Sequence, residues 1–352
     1  MSTHDIATSI ERLAPEEGGW GLLSLEGGET PTAGVGPYRL ALRRLRRNYT
    51  ALAFGLLFLA IVAVCLLAPV YAHAIAHTGP NTQHLTETIK IGGKSRYVVS
   101  LQDVPIGPTW RGQFFLGADT QGRDLAVRLL YGGRTSLFIG AMATVITVVL
   151  AGILGVVAGF FRGWVDGIIS RVLDIIWAYP ALLLAIALGV SLALGGVSIG
   201  PIHLHAGSIY VPAFIIGIVY VPYVARPIRG EVLGLREREF VDAARSLGQS
   251  NFRIMVSELV PNLTSTWVVF IALQLAQSII LEAALSFLGA GVQAPNASWG
   301  TLLSSGLSYF QKNPNLTLAP GIMLILTCLS VNVFGDGVRT ALDPRAKVRV
   351  VR

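Results

Sequence analysis

Runs of apolar residues, each close to twenty residues long, alternate with polar segments along most of the chain. A helix of about twenty apolar residues crosses the roughly 30 Å hydrocarbon core of a bilayer. The pattern therefore predicts an all-α polytopic membrane protein with six transmembrane helices. Their approximate bounds are 50–71, 135–161, 168–194, 209–226, 263–289 and 316–334.

The segments between these runs predict how the chain is organised. Gly, Pro and acidic residues near the N-terminus predict a flexible segment. Before the second run, the stretch ADTQGRDLAVRLLYGGRTS predicts an amphipathic helix that is capped by Asp119 or Thr120 and lies flat on the membrane surface. The predicted parts are 1–36 (flexible, cytoplasmic), 37–71 (a basic helix and the first span), 72–134 (extracytoplasmic loop with the interfacial helix), 135–340 (core of five spans with the polar loop 227–262) and 341–352 (basic cytoplasmic tail).

Composition supports a membrane location. Hydrophobic residues make up 53% of the chain and charged residues only 13%, whereas soluble domains carry about a quarter charged residues. The same numbers exclude a disordered protein. Cys65 and Cys328 both lie in apolar runs, so they do not indicate a disulfide framework. The first 35 residues lack an apolar core, so we expect no cleaved signal peptide.

The basic charge orients the chain in the membrane. A net charge of +7 is compatible with nucleic-acid binding, but Lys and Arg beside apolar spans are better explained by the positive-inside rule. With the N-terminus inside, 19 of the 27 Lys and Arg residues fall in cytoplasmic segments. We therefore expect both termini and the loop 227–262 to be cytoplasmic, the lipid bilayer to surround the chain, and no nucleic-acid partner.

The polar loop contains one compact helical motif. Residues 239–247 predict a short helix whose small side chains, Ala243 and Ala244, leave a shallow surface, and Gly248 ends it. Such a helix can dock in a groove on another protein. It can equally be part of a solvated helical hairpin, and the pattern alone leaves both interpretations open.

This loop resembles the EAA loop of binding-protein-dependent ABC importer permeases. The family pattern is Glu-Ala-Ala, three residues, Gly, nine residues and Ile-x-Leu-Pro. Here Asp242 replaces the Glu, while Glu258 and Val260 stand where Ile and Leu are expected. The resemblance assigns coupling to an ATPase subunit to Glu239, Asp242, Ala243, Ala244, Gly248 and Pro261.

A second stretch resembles a subfamily motif. The sequence LGADTQGRD, followed by GGRTSL, is similar to the Gly-Thr-Asp-x-x-Gly-Arg-Asp motif of the second permease subunit of dipeptide, oligopeptide and nickel importers (the DppC/OppC type). Shorter similar stretches occur at 163–166, 286–289, 298–300 and 335–339, and the resemblance extends from about residue 40 to the end. The residues that carry the motif are Gly117, Asp119, Gly122, Arg123, Asp124 and Arg134.

The resemblance implies a type I ABC importer permease fold in the bacterial cytoplasmic (inner) membrane. It implies that the chain forms half of a translocation path for di- and oligopeptides. The implied partners are a homologous second permease, two ATPase subunits and an extracytoplasmic solute-binding protein. ATP and Mg would be held by the ATPase subunits, so we expect this chain to bind no cofactor and to contain no catalytic residue. The alternatives are another solute (nickel, a sugar or a modified peptide) and, from a different class, a self-sufficient secondary carrier.

One stretch imitates a nucleotide-binding motif. Gly93-Lys94-Ser95 matches the end of a Walker A loop, but Ile89 occupies the position of the earlier Gly. The phosphate cradle needs the whole Gly-rich turn. We therefore interpret this stretch as part of the extracytoplasmic loop.

Histidines occur at spacings that metal ligands use. His73 and His77 are four residues apart, and His203 and His205 flank Leu204. Cys or carboxylate residues that would complete a ligand set are missing from these segments. We therefore expect exposed loop histidines and no metal site.

Glu282 lies well inside the fifth predicted span. Gln274 and Ser278 precede it at helical spacing, so the three side chains share a face. A charge in hydrocarbon costs several kcal/mol unless it meets water or a partner. The face therefore predicts a lining for the translocation path or a subunit interface, with a structural hydrogen bond between helices as the equal alternative. A secondary carrier would show paired carboxylates or a His relay at this depth, so this lone carboxylate argues against that class.

Overall fold

The structure is a computed structural model, and it describes residues 37–91, 94–100, 102, 104–195, 197–199, 202–204 and 207–342. The predicted segment 1–36 and most of the predicted tail 341–352 lie outside these residues. The helices are, in chain order, α1 (Pro37–Arg47), α2 (Tyr49–Leu66), α3 (Ala68–Tyr71), α4 (Leu125–Phe161), α5 (Gly163–Trp177), α6 (Ala181–Gly195), α7 (Tyr210–Val219), α8 (Val221–Leu235), α9 (Glu239–Ser246), α10 (Asn251–Arg253), α11 (Val260–Asn262), α12 (Thr264–Phe287), α13 (Trp299–Leu307) and α14 (Asn315–Leu342).

Four of these helices, α2, α4, α12 and α14, are long and apolar enough to cross a bilayer. Two bent pairs pass the same test if each pair is one span: α5 with α6, bent by 85°, and α7 with α8, bent by 40°. The bends lie at Pro180 and Pro222. Proline lacks the backbone N–H that continues a helix, which explains why the apolar runs are broken there.

Short elements connect the long helices. Strands β1 (Thr88–Ile91) and β2 (Lys94–Tyr97) form an antiparallel hairpin, and β3 (Val197–Ile199) pairs with β4 (Ile202–Leu204) in the same way. π-helical turns follow α3 and α10. We call the end of the molecule that carries residues 77–124 the hairpin end, and the end that carries residues 236–263 the loop end.

The amphipathic helix that we predicted to lie flat on the membrane is instead the beginning of α4, which runs unbroken for 37 residues. Its cap is Asp124, whose Oδ1 accepts hydrogen bonds from the N–H groups of Ala126 and Val127 at 2.9 and 3.1 Å. The prediction that Asp119 or Thr120 caps the helix is therefore wrong.

The reason for this difference is tertiary packing. Leu125 and Leu129, on the predicted apolar face, are buried against Cys65 and Trp299. The apolar face thus contacts protein, and the charge of Arg128 is also buried within the chain. A helix with one apolar and one charged face fits a membrane surface in isolation, but here both faces are covered.

Helix α4 lies at the centre of the bundle because its small residues admit other helices. A Cβ atom on Gly155 would lie 2.9 Å from the Ile228 side chain, and one on Gly159 would lie 2.8 Å from Val232. Helix α8 therefore packs against the backbone of α4. These small residues thus serve helix packing.

Candidate functional site

Helix α9 presents a small, charged face to its surroundings at the loop end. Val241 is fully buried and Ala244 is 5% exposed, so one face of α9 packs on the bundle. Glu239, Asp242 and Ala243 lie on the exposed face. Of the two adjacent alanines, Ala244 therefore packs inward and Ala243 forms part of the outer surface.

The end of α9 is fixed by a Schellman motif. The N–H of Gly248 donates to the carbonyl of Arg245 at 2.9 Å, and the N–H of Gln249 donates to the carbonyl of Ala244 at 3.1 Å. Gly248 has φ +75°, in the left-handed region, and a Cβ atom there would meet no atom within 4 Å. The constraint at this position is therefore backbone conformation, since space is available.

Two apolar side chains beside the motif complete this surface, and sequence reasoning missed them. Leu247 is 80% exposed and Phe252 is 72% exposed. Both lie in the most charged internal segment of the chain, and large apolar residues in such a segment were the available signal. Exposed apolar side chains with a polar surround are typical of protein contact sites. We call Glu239, Asp242, Ala243, Leu247 and Phe252 the docking surface, after the role that the sequence resemblance predicts for this helix.

The loop behind the docking surface is attached firmly to the bundle. Val241, Ile254 and Leu259 are fully buried in one cluster with Ile228 and Val232 of α8. Pro261 lies in the first turn of α11 and is exposed. Apolar packing of this kind allows the docking surface to move with the helices and not independently of them.

Polar contacts reinforce this attachment. The Arg236 guanidinium donates to the carbonyl of Phe160 at the end of α4. Arg162 Nη2 lies 2.5 Å from Glu237 Oε1, which joins the turn after α4 to the start of the loop. The loop is therefore joined to α4 by polar contacts as well as by apolar packing.

The subfamily motif forms a buried polar cluster at the hairpin end. Asp119 Oδ2 lies 2.7 Å from Arg123 Nε and 3.3 Å from Arg128 Nε, and the Asp119 side chain is 3% exposed. Arg128 Nη1 also donates to the carbonyl of Pro80 at 3.0 Å. The cluster therefore connects the segment before the first hairpin to the N-terminal turn of α4.

Asp124 extends this cluster. Besides capping α4, its second oxygen accepts the N–H of Phe114 at 2.6 Å. Burial raises the pKa of Asp124 above its usual range, although three backbone N–H groups act in the opposite direction. Gly117 has φ +99°, and a Cβ atom there would lie 2.5 Å from the Ile106 carbonyl oxygen, so this position requires glycine.

The remaining motif residues divide between the cluster and the surface. Gly122 has φ +70° and would place a Cβ atom 3.0 Å from the backbone of His84 and Leu85. Arg134, in contrast, is exposed, and its guanidinium lies 5.5 Å from the centre of the Tyr131 ring. The motif residues other than Arg134 therefore have a structural role, and Arg134 does not belong to the buried cluster.

The histidines occupy different environments. His73 and His77 are exposed, and His203 and His205 lie where the structure gives no side-chain description. His84 Nε2 lies 2.8 Å from Thr78 Oγ1. Among the described residues, no three His, Cys, Asp or Glu side chains are grouped as metal ligands.

The predicted translocation-path face of α12 is buried inside the chain. Gln274 is 5% exposed, and Ser278 and Glu282 are fully buried. Gln274 Nε2 donates to Ser278 Oγ at 3.1 Å. This burial favours the alternative that the sequence left open, a structural hydrogen-bonded group, and the role of these side chains in the translocation path stays a prediction.

The partners of Glu282 come from three segments. Ser286 Oγ donates to Glu282 Oε1 at 2.7 Å. The hydroxyls of Ser136 and Ser298 lie near the carboxyl group, but Glu282 Oε2 has no hydrogen-bond partner among the described residues. The N–H of Trp299 donates to Ser136 Oγ at 3.2 Å. The surroundings of the carboxyl group therefore bring together α4, α12 and the start of α13. We call Glu282, Ser136, Ser286 and Ser298 the Glu282 cluster.

Two family models match the chain. The model for the binding-protein-dependent transport system inner membrane component matches residues 151–348, and that for the N-terminal TM domain of oligopeptide transport permease C matches residues 36–89.

Named relatives match nearly the whole chain. A protein of Brucella suis biovar 1 (strain 1330), whose name describes a peptide transport system permease, is 36% identical over 90% of this chain and 95% of its own length. The dipeptide transport system permease protein DppC of Alkalihalophilus pseudofirmus is 34% identical over 89% of this chain and 91% of its own. The glutathione transport system permease protein GsiD of Pectobacterium atrosepticum is 32% identical over 88% of this chain and 92% of its own.

Among solved structures, the chain is similar to one titled as an inward-facing conformation of the MetNI methionine ABC transporter. The sequence identity is 17%, the TM-score is 0.48, and the match covers 61% of this chain and 96% of that chain.

Proposed function

The chain belongs to the family of binding-protein-dependent transport system inner membrane components, and from that membership we propose that it is a permease subunit of an ATP-driven peptide importer. The names of its relatives, which describe peptide, dipeptide and glutathione transport, support this substrate class. The second candidate is the same architecture with another solute, such as a modified peptide, nickel or a sugar, and the glutathione relative favours a modified peptide among these.

We propose further that each bent helix pair is one span, which gives six spans in the bacterial inner membrane with both termini cytoplasmic. The distribution of Lys and Arg supports this orientation. The loop end then faces the cytoplasm and the hairpin end faces outward. This arrangement leaves the docking surface accessible from the compartment that contains ATP.

The docking surface carries the functional proposal. A short helix with a small, charged face, followed by the exposed side chains of Leu247 and Phe252, fits a groove on a cytoplasmic ATPase subunit. ATP and Mg would be bound by two such subunits, and this chain would supply no catalytic group. Because the loop is packed on α8 and tied to α4, closure of the ATPases would rotate the permease helices as a unit.

The remaining proposed partners complete the path. A homologous permease would supply the other half of the translocation path. A solute-binding protein would deliver peptide at the hairpin end. Alternating access would then follow from rocking of the two permeases against each other.

Reconstitution tests this function. We expect the purified chain alone in liposomes neither to hydrolyse ATP nor to move a labelled dipeptide. Together with the second permease, the ATPases and the binding protein, it should support ATP-dependent dipeptide uptake, which stops when the ATPase is inactivated. Measurable ATP hydrolysis by the lone chain, or uptake without the ATPases, would contradict the proposal.

A further inference from the structure

A cleft of about 520 Å³ lies at the loop end between α8, α12 and α14. Its volume is within the 300–1,000 Å³ that small-molecule sites commonly have. The charged residues of its lining are Glu231 on α8 and Arg339 on α14. Helix α12 contributes the hydroxyls of Ser265 and Thr266 and an apolar wall that includes Val269 and Leu273.

The two charges in this cleft are not neutralised by salt bridges within the described residues. Glu231 Oε2 accepts a hydrogen bond from Thr266 Oγ1 at 2.6 Å, and no described cation lies within salt-bridge distance of it. Arg339 likewise has no described carboxylate partner. Other acids and bases at this end of the bundle include close pairs: Arg229 Nε lies 2.5 Å from Asp166 Oδ1.

The cleft occupies a different face of α12 from the Glu282 cluster. At 3.6 residues per turn, Thr266 and Glu282 point about 160° apart around the helix axis. Val269 and Leu273 are partly exposed, whereas the face that includes Ser278 is closed by the chain itself. The open face of α12 is therefore the one that borders the cleft.

The lining suits a small molecule that carries one positive and one negative end. A carboxylate binds an ammonium group, and a guanidinium binds a carboxylate in a bidentate manner. The hydroxyls can pair with a peptide amide, and the apolar wall can receive a side chain. A phosphate or an anionic lipid head group would meet the negative charge of Glu231, so purely anionic ligands are disfavoured.

We propose that this cleft binds the free amino and carboxyl ends of a short peptide at the cytoplasmic mouth of the path, with Glu231 facing the ammonium group and Arg339 the carboxylate. The inference rests on the proposed function as a peptide permease. It places the path-facing stripe of α12 at Ser265, Val269 and Leu273 in place of Gln274, Ser278 and Glu282.

The test uses the whole reconstituted importer and a single cysteine at Val269. Dialanine on the cytoplasmic side should slow the labelling of this cysteine by a thiol reagent several-fold. N-acetyl-dialanine amide, which lacks both charges, should not slow it. A cysteine at Ser278 should stay unlabelled in every condition, and the parent with its buried Cys65 and Cys328 gives the background rate.

Charge variants provide the second measurement. Glu231→Gln and Arg339→Gln should each weaken protection by dialanine about tenfold or more, the loss expected for one charge-assisted hydrogen bond. Arg43→Gln, a matched change of an exposed arginine on α1, should have no effect.

The outcomes separate this inference from the proposed function. If the parent importer takes up dialanine but charged and blocked peptides protect the cysteine equally, or neither protects it, the cleft is not the site. If the parent importer takes up no peptide in an ATP-dependent manner, the peptide function itself is wrong. The comparison of the two peptides needs no charge variant, so misfolding of a variant leaves the test valid.

Discussion

A buried carboxyl group needs hydrogen-bond donors wherever it lies. Glu282 has one in the Ser286 hydroxyl, and the hydroxyls of Ser136 and Ser298 lie close to the same group. These serines belong to three separate stretches that resemble the permease family: GGRTSL, SFLG and SWG. A Cβ atom on Gly300 would lie 2.3 Å from the Ala283 carbonyl oxygen, so the start of α13 approaches α12 at backbone distance. The separate sequence stretches thus form one packed contact.

The first prediction concerns Glu282. Glu282→Ala should lower the stability of the purified chain by about 2–4 kcal/mol, because it leaves a cavity and removes the acceptor for the buried serine hydroxyls. Glu282→Gln should cost distinctly less, since the amide retains hydrogen bonding. Thermal unfolding in detergent measures both, with Glu239→Ala on the exposed face of α9 as the control. Equal stability of Glu282→Ala and the parent would show that the cluster does not hold α13.

Gly248 gives a second prediction at the same scale. Gly248→Ala should destabilise the end of α9 by about 1 kcal/mol, because an L-residue is strained in the left-handed conformation. The matched control is Gly230→Ala in α8, where a Cβ atom meets no atom within 4 Å and φ is not positive. This control should be neutral or slightly stabilising. If both variants bind the ATPase with unchanged affinity, the geometry of this helix end is not needed for docking.

Among the elements, α9 packs its inner face on the bundle and leaves its outer face exposed for contact. The segment that follows bears Phe252, so the docking surface combines two short helices across the turn at Gly248. Either helix alone is too short to be stable in water. Their packing on α4 and α8 is what makes them a usable surface.

Substitutions on this surface should separate docking from folding. Leu247→Asp or Ala243→Glu should reduce co-purification of the ATPase at least tenfold, because each places a charge in the contact. The unfolding temperature of the isolated permease should change little, since both side chains are exposed. Gln311→Glu, exposed at the opposite end, is the control. Normal ATPase binding by both variants would favour the solvated-hairpin interpretation.

Helix α12 shows what a sequence pattern can reveal about an element. The polar stripe Gln274, Ser278 and Glu282 was correctly recognised as one face, because helical spacing is a local property. Its neighbours were not predictable, because Ser136 belongs to α4, far away in the chain, and Ser298 begins a separate helix. The pattern therefore located a polar face in hydrocarbon and left open whether water or protein covers it.

For the whole molecule, the helical membrane architecture was predictable because the apolar composition of each span is a local property of the sequence. The bends near Pro180 and Pro222 also follow from the local sequence, because proline lacks the backbone N–H that continues a helix. The prediction of an interfacial helix was wrong because either lipid or protein can cover an apolar helix face. The sequence pattern does not distinguish the two, and here protein covers it. The docking role of α9 stays a prediction that rests on the resemblance, and the exposure of Leu247 and Phe252 beside it required the structure.

The N-terminal segment gives a prediction for the whole chain. Deletion of residues 2–36 should leave membrane insertion and uptake nearly intact, because the segment has few apolar residues to bury. Uptake assays and the yield of the assembled complex measure this. Loss of assembly at normal insertion would show that the segment contacts a partner.

The unbroken length of α4 also limits which insertions and deletions the protein can tolerate. Its 37 residues span about 55 Å, with the Asp124 cap at one end and the Phe160 carbonyl bound by Arg236 at the other. Inserting or deleting one codon near the exposed Val145 would turn one end relative to the other by about 100° and shift it by about 1.5 Å. Both sets of contacts could not then form together. Homologous chains should therefore vary in loop length, but the number of residues between Asp124 and Phe160 should stay constant.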